Sequence, residues 1–264
     1  MKLLVTVGLD SPVAEALSSR LDARVLSYPG IPHGYSIDGK VLIESPRVVG
    51  RMLEPFAVVF YSYFNSPEAD AFRRALALSD VPTFPDVRRT LPLDDKVIGL
   101  VMALGSNIPS LPRGYVNKGL TPFNGERVFK WGNAHCGEGK VKTTAGFLLE
   151  SPAIVEPFIE GISERILVVG QEAWHLRYES EDWRKNVRST VTVLDQPNAV
   201  LLDLALRTTE HLQLTVAGVD FITKDGVSFL LEVNAYPSLD EVPDAQKAFV
   251  DNVESWWSRW KGPS

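Results

Sequence analysis

The sequence predicts a mixed α/β fold: an N-terminal lobe built on a parallel sheet, followed by two α+β lobes. Three observations carry that expectation. Apolar runs such as Leu3–Leu9 and Phe56–Phe64 alternate with helical stretches of about 10 to 15 residues, the rhythm of parallel strands and crossover helices. A stretch with three prolines, VPTFPDVRRTLP at 81–92, then interrupts this rhythm. Beyond it, strand pairs joined by Gly170 and by Lys224-Asp225-Gly226 take over. The expected lobes are 1–92, 93–155 and 156–264.

Each element has a local reason. Leu3–Leu9 runs into Asp10-Ser11-Pro12, a helix start with proline in the first turn, and a helix is expected over Val13–Leu21. A short strand, Arg24–Ser27, precedes a polar, turn-like segment at Gly34–Gly39. A helix is expected at Ser45–Leu53, a strand at Phe56–Phe64, and a helix at Ser66–Leu78 opened by Ser66-Pro67. Another helix covers Asp94–Leu104, and a strand lies near Tyr115. Asn124-Gly125 predicts a hairpin within Phe123–Trp131. Strands follow at Arg165–Val169 and Ala173–Tyr178, then a helix at Ala199–His211, then strands at Val219–Thr223 and Ser228–Val233. The last helix, Asp244–Trp260, carries Trp256 and Trp260 on one face with Val253, which fits core packing or a homodimer contact.

Composition narrows the function classes. The 264 residues, 45% hydrophobic and 23% charged, are those of an ordinary globular protein with a full core. A net charge of −6 without any basic block argues against nucleic acid as a partner. The single cysteine, Cys136, allows no internal disulfide and fits a reducing compartment. No apolar run reaches the roughly 18 residues of a membrane span, and LLVTVGL is too short for a signal peptide. The expected location is the cytoplasm.

Two segments carry chemistry. In KWGNAHCGEGKVK (130–142), Gly132, Gly137 and Gly139 allow a backbone to approach a ligand closely, and Lys130 and Lys140 bracket them. Such a loop reads either as a polyphosphate cover or as a solvated hairpin. His135 and Cys136 lack the further partners a metal centre needs. In the second segment, Glu232 and Asn234 stand two apart on one strand and so share a face, with Asp220 on the neighbouring strand. Two carboxylates and an amide oxygen are hard donors suited to Mg²⁺ held together with phosphate oxygens. The competing reading is a strand cap and a salt bridge, although an acidic residue inside FLLEVN is costly without a partner. Glu156-Pro157-Phe158-Ile159 has the form of an extended linker whose peptide groups could meet a planar base.

Together these segments resemble an ATP-grasp protein, most closely the ATP-binding domain of synapsins. GNAHCGEGKVK is similar to the synapsin glycine-rich loop, and EPFIEG and ERILVVG to the hinge and following strand. GYSIDG (34–39) and VVGRMLEPFAVVFYSYF (48–64) resemble the synapsin amino-terminal lobe. The likeness runs from about residue 33, with a shortening between Val141 and Val155.

The resemblance implies a pre-ATP-grasp lobe and two α+β subdomains sandwiching ATP, with one or two Mg²⁺ ions for which Mn²⁺ could substitute. It implies that Lys96 and Lys130 contact ATP phosphates, and that Gly132, His135, Gly137, Gly139 and Lys140 cover them. Glu156, Phe158 and Ile159 would meet adenine, and Glu164 the ribose, unless it orders its strand. Asp220, Glu232 and Asn234 match metal ligands, and Arg188, with Lys185 second, the cation that neutralises the transferred phosphoryl group. Asn234 departs from the synapsin pattern toward the Glu-x-Asn of ATP-grasp ligases. The implied activity is therefore an ATP-dependent carboxylate–amine ligase working through an acyl phosphate on a small molecule or peptide. The alternatives are a synapsin-like binding or scaffold protein with little turnover, and phosphorylation without ligation. Ala235–Glu241 and Tyr61–Asn65 are expected to face the substrate.

Overall fold

The computed structural model describes residues 2–37, 39–62, 66–121, 125–131 and 139–260. The chain divides into two compact units. One comprises Met1–Leu91, Leu214–Val216 and Ser238–Ser264, and the other Pro92–Gln213 and Ala217–Pro237. No helix among the described residues is long and apolar enough to cross a membrane.

The first unit contains β1 (Leu3–Val7), α1 (Ser11–Arg20), β2 (Arg24–Tyr28), β3 (Gly34–Ile37), β4 (Lys40–Glu44), β5 (Met52–Leu53) and β6 (Ala57–Phe60). α2 (Pro67–Leu78), β7 (Thr83–Phe84) and α3 (Val87–Thr90) follow. A parallel sheet of order β2-β1-β6-β7 forms the centre. Leu4, Val5, Val7, Val58 and Val59 are fully buried, so these strands read as continuous apolar runs rather than alternating ones. Ser66 caps α2 by accepting a hydrogen bond from the Ala69 N–H at 3.2 Å, with Pro67 opening the helix.

Two expectations fail here. Gly34–Gly39 is not merely a turn, because β3 pairs antiparallel with β4. Ser45–Leu53 is not a helix: the chain turns at 45–50 and returns as β5 against β4. Pro46, the β-branched pair Val48-Val49 and Gly50 at φ +74° disfavour a helix, while Ser45 N–H donates to the Arg51 carbonyl at 2.7 Å and closes the turn.

The second unit opens with α4 (Lys96–Leu104), whose cap Asp95 accepts from Val97 N–H and Ile98 N–H at 2.8 and 3.0 Å. Strands β8 (Gly114–Val116), β9 (Gly119–Thr121), β10 (Arg127–Trp131), β11 (Lys140–Thr143), β12 (Phe147–Leu149) and β13 (Ala153–Pro157) follow. They form an antiparallel sheet of order β11-β10-β13-β8 and a separate β9–β12 pair. Among the described residues β9 pairs with β12 and β10 with β11 and β13, so the two strands flanking Asn124-Gly125 do not pair with each other. Pro122–Asn124 itself lies outside the described residues.

A second sheet, of order β16-β15-β14-β17-β18, uses β14 (Ile162–Val169), β15 (Glu172–Glu179), β16 (Thr190–Val193), β17 (Val216–Lys224) and β18 (Val227–Asn234). α5 (Ala199–Leu212) packs on β14 and β15, burying Leu201 and Ala205. The last helix, α6 (Pro243–Arg259), belongs to the first unit. There Phe84 meets Phe249 and Trp256 at 5.5 and 5.7 Å, and Phe56 meets Trp260 at 4.2 Å. Helix-face aromatics thus pack within the unit.

A buried carboxylate ties the second sheet together. Glu164 on β14 accepts from Thr223 Oγ1 on β17 at 2.6 Å, from His175 Nε2 at 3.1 Å and from Arg177 Nη2 at 3.4 Å, both on β15. His175 Nδ1 accepts from the Asn198 N–H at 3.1 Å, which makes Nε2 the protonated nitrogen and extends the tie to the cap of α5. Burial works to raise the Glu164 pKa, but these donors outweigh it and hold it below the usual carboxylate range. Glu164→Ala should therefore cost about 3 kcal/mol by urea denaturation, because it leaves His175, Thr223 and Arg177 without their shared acceptor.

Candidate active site

The second unit holds a cleft whose lining runs on into that of a second, smaller one. Lys130, Lys140, Leu231 and Glu232 line both. The strands explain the convergence. Lys130 on β10 and Lys140 on β11 are direct cross-strand partners, and Trp131 N–H donates to the Gly139 carbonyl at 2.9 Å. Like charges directly opposite each other destabilise a strand pair, so this placement calls for an anion.

Glu156 answers part of that demand. It faces Val128 across β10, two positions from Lys130 and on the same side. Lys130 Nζ lies 2.5 Å from Glu156 Oε1, and Arg113 Nε donates to Oε2 at 2.7 Å. Arg113 Nη2 also reaches the Leu230 carbonyl on β18 at 2.5 Å, so one guanidinium links the two sheets of this unit. Glu156 is 3% exposed. Burial alone would raise its pKa, yet Lys130 and Arg113 hold it below the ordinary 4.5.

Glu232 answers the rest. Lys140 Nζ is 3.8 Å from Glu232 Oε2, and Lys140, then Lys130 and Lys96, drive the Glu232 pKa far below the usual range against the effect of burial. Lys96 lines the second cleft. Its pKa falls chiefly through burial; the nearby Glu232 opposes that shift, and Lys140 and Lys130 reinforce it. Lys96 is also the first residue of α4, where a cation opposes the helix dipole. Its position there serves the cleft rather than the helix. Among the described residues, Lys96, Lys130, Lys140 and Arg113 outnumber the carboxylates set among them, Glu156, Glu232 and Asp94, leaving a cationic hollow.

Asp220 and Asn234 border this hollow. β17 and β18 place Asp220 opposite Glu232 and Gly218 opposite Asn234, with a bulge between Asp220 and Phe221. Both Asp220 oxygens are taken by Arg165, Nε at 2.6 Å and Nη2 at 2.8 Å, and Asn234 Nδ2 donates to Oδ2 at 3.0 Å. That orientation leaves Asn234 Oδ1 as an acceptor. Among the described residues no three His, Cys, Asp or Glu side chains form a metal cage, so a cation here would rely on Glu232, Asn234 Oδ1 and ligand oxygens.

The other wall of the larger cleft is apolar, with Leu111, Val128, Phe158, Ile159 and Ile222. Trp183 meets Phe158 edge-on at 6.2 Å, and Lys142 Nζ stands 4.1 Å over the Phe158 ring. The cleft thus pairs an apolar, aromatic wall with a cationic hollow. The expected linker is more ordered than its sequence implied. Ala153–Pro157 pairs with both β10 and β8, and Phe158 N–H donates to the Glu126 carbonyl at 3.1 Å. The Phe158 N–H is therefore not open to a base.

Most of the expected site residues line these clefts: Lys96, Lys130, Lys140, Glu156, Phe158, Ile159, Asp220, Glu232, Asn234 and Lys185. Gly139, at φ +61°, turns into β11, while Gly132, His135 and Gly137 lie outside the described residues. One placement follows the second of two expected alternatives, and one differs from expectation. Glu164 is bound inside its sheet, orders the strands and does not line the cleft. Arg188, at φ +48°, is not among the lining residues, whereas Trp183, Arg184, Lys185 and Asn186 of the same loop are. Lys185 Nζ donates to the Ser180 carbonyl at 2.6 Å. Sequence reading missed Arg113, Arg165 and Trp183. The signal for the two arginines was the cost of burying Glu156 and Asp220 unpaired.

Residues 140–252 match the family described as the RimK-like ATP-grasp domain. Among solved structures, a Chryseobacterium gregarium RiPP-associated ATP-grasp ligase, in complex with ADP and a leader and core peptide, superposes with a TM-score of 0.67. It is 14% identical, covering 97% of each chain. A RimK domain ATP-grasp protein from Sphaerobacter thermophilus also gives 0.67, at 15% identity over 95% of this chain and 98% of that one. This chain has the ATP-grasp fold. The ATP-grasp ligase PsnB, complexed with a phosphomimetic variant of its minimal precursor, Mg and ADP, gives 0.64 at 16% identity, covering 96% and 97%. No curated protein matches the sequence.

The buried clamp gives this chain a defined acid response. Because Glu156 is depressed in the folded state, its contribution to stability is full above its unfolded value of 4.5 and is lost as pH falls through the lower folded value. Urea midpoints measured from pH 6 downward should fall below about pH 4.5. In Glu156→Gln the neutral-pH stability should drop by about 3 kcal/mol and that part of the acid slope should vanish.

Proposed function

We propose that this chain is an ATP-dependent, ADP-forming carboxylate–amine ligase. The carrying observation is the cross-strand pair Lys130–Lys140 with Lys96 around Glu232, next to the Phe158–Trp183 slot. A planar base and a polyphosphate need those two walls side by side. In this reading adenine lies against Phe158, Ile159 and Trp183, and the phosphates against Lys96, Lys130 and Lys140. The resemblance assigns residues 132–140 to cover the phosphates, of which 132–138 lie outside the described residues. Glu232 and Asn234 Oδ1 would hold Mg²⁺, which neutralises phosphate charge when bound.

The chemistry then needs positioning and charge neutralisation rather than a protein nucleophile. A substrate carboxylate oxygen attacks the γ-phosphorus and ADP leaves, giving an acyl phosphate. An amine attacks the acyl carbon, phosphate departs and a proton is released. Lys185 and Arg188, from the loop beside the cleft, are the cations assigned to the transferred phosphoryl group. Relatives bound to leader, core or precursor peptides favour a peptide over a free amino acid as the carboxylate substrate. The proposed lobes are 1–92, 93–155 and 156–264 in chain order, with Ser238–Ser264 returning to the first unit, and the single cysteine favours the cytoplasm.

Coupled ADP-release assays over a panel of peptides and amines, with mass detection of products, test this. Turnover should require both an acceptor peptide and an amine, and Glu232→Gln should abolish it with an unchanged circular dichroism spectrum. Lys96→Met should weaken ATP binding by about ten- to a hundredfold. Nucleotide affinity without acceptor-stimulated release would instead indicate a regulatory binding protein.

A further inference from the structure

The resemblance assigns Asp220 to the metal, but the structure uses it differently. Arg165 takes both of its oxygens in a forked pair at 2.6 and 2.8 Å, and Asn234 adds a third donor at 3.0 Å. Three of the roughly four lone-pair positions of a carboxylate are thereby filled, with a fixed positive charge against them. Arg165 is itself built in. Its Cζ lies 5.4 Å over the Tyr178 ring, and its side chain packs closely against Gly218. A Cβ there would come 3.1 Å from Arg165 Cδ and Nε and 3.0 Å from Pro237 Cβ. Such a guanidinium does not step aside cheaply. Glu232, by contrast, lines both clefts, with Lys140 no nearer than 3.8 Å.

We propose that Arg165 is a positioning residue that sets the cation count of the cleft. By occupying Asp220 it leaves Glu232 and Asn234 Oδ1 as the protein ligands of a single divalent ion. This rests on the nucleotide reading above. The test is Mn²⁺ titration followed by electron paramagnetic resonance, with a non-hydrolysable ATP analogue whose binding is followed separately by fluorescence.

The wild type should bind one Mn²⁺ per chain with the analogue, and Asp220→Asn should keep that one. Arg165→Met should gain a second ion, and the double variant Arg165→Met/Asp220→Asn should lose it again. Two ions in the wild type, loss of the ion in Asp220→Asn, or a single ion in Arg165→Met would each overturn the proposal while leaving nucleotide binding intact. If Arg165→Met does not fold, the Asp220→Asn result decides alone. If the analogue binds none of the proteins, the nucleotide reading fails and this inference with it.

Discussion

Everything in the cleft depends on one buried carboxylate held between two cations. Glu156 receives Lys130 from the neighbouring strand and Arg113 from the segment ahead of β8, and Arg113 continues to the backbone of β18. An unpaired carboxylate at that depth would be strongly destabilising, and an unpaired lysine likewise. The two needs are met together. The same contacts fix where the Lys130 ammonium points and how far β18 stands from β13, so the stability of the unit and the geometry of its cleft have a common origin.

Around that clamp the charges are deliberately unequal. Lys130 opposes Lys140 on paired strands, and Lys96 joins them from the start of a helix that gains nothing from it. Glu232 offsets part of this, while both oxygens of Asp220 are already bound by Arg165. Local structure alone accounts for none of these placements. Each works against a strand pair or a helix end, which is the mark of groups arranged for a ligand.

Much of this was legible in the residues. The parallel sheet, α2, α4, α5, α6 and the β17–β18 pair follow from apolar runs, capping residues and turn signals, because those are short-range effects. The Glu232-x-Asn234 spacing correctly put both side chains on one face of β18. What could not be read depended on distant partners. Ser45–Leu53 carries a helix-like pattern, but Pro46, Gly50 and pairing with β4 decide it. Asn124-Gly125 carries a hairpin signal, yet long-range pairing sends β9 and β10 to different strands. Whether Glu164 meets a ribose or orders its strand, and whether Asp220 is open to a metal, depends on donors distant in sequence, Thr223 with His175 for the first and Arg165 for the second.

The irregularity in β18 has a consequence for what kind of surface the cleft can present. A strand with strict two-residue alternation would have to choose between Leu231 and Glu232, sending one of them inward. Because Phe221 opposes Leu230 while Asp220 opposes Glu232, Leu231 is the surplus residue, and both neighbours stay on the open side. An oily side chain and an acid consequently abut with no backbone step between them. Greasy and ionic parts of one guest molecule can then be gripped within a single residue's rise, a junction that an unbroken ladder would have spread over twice the distance.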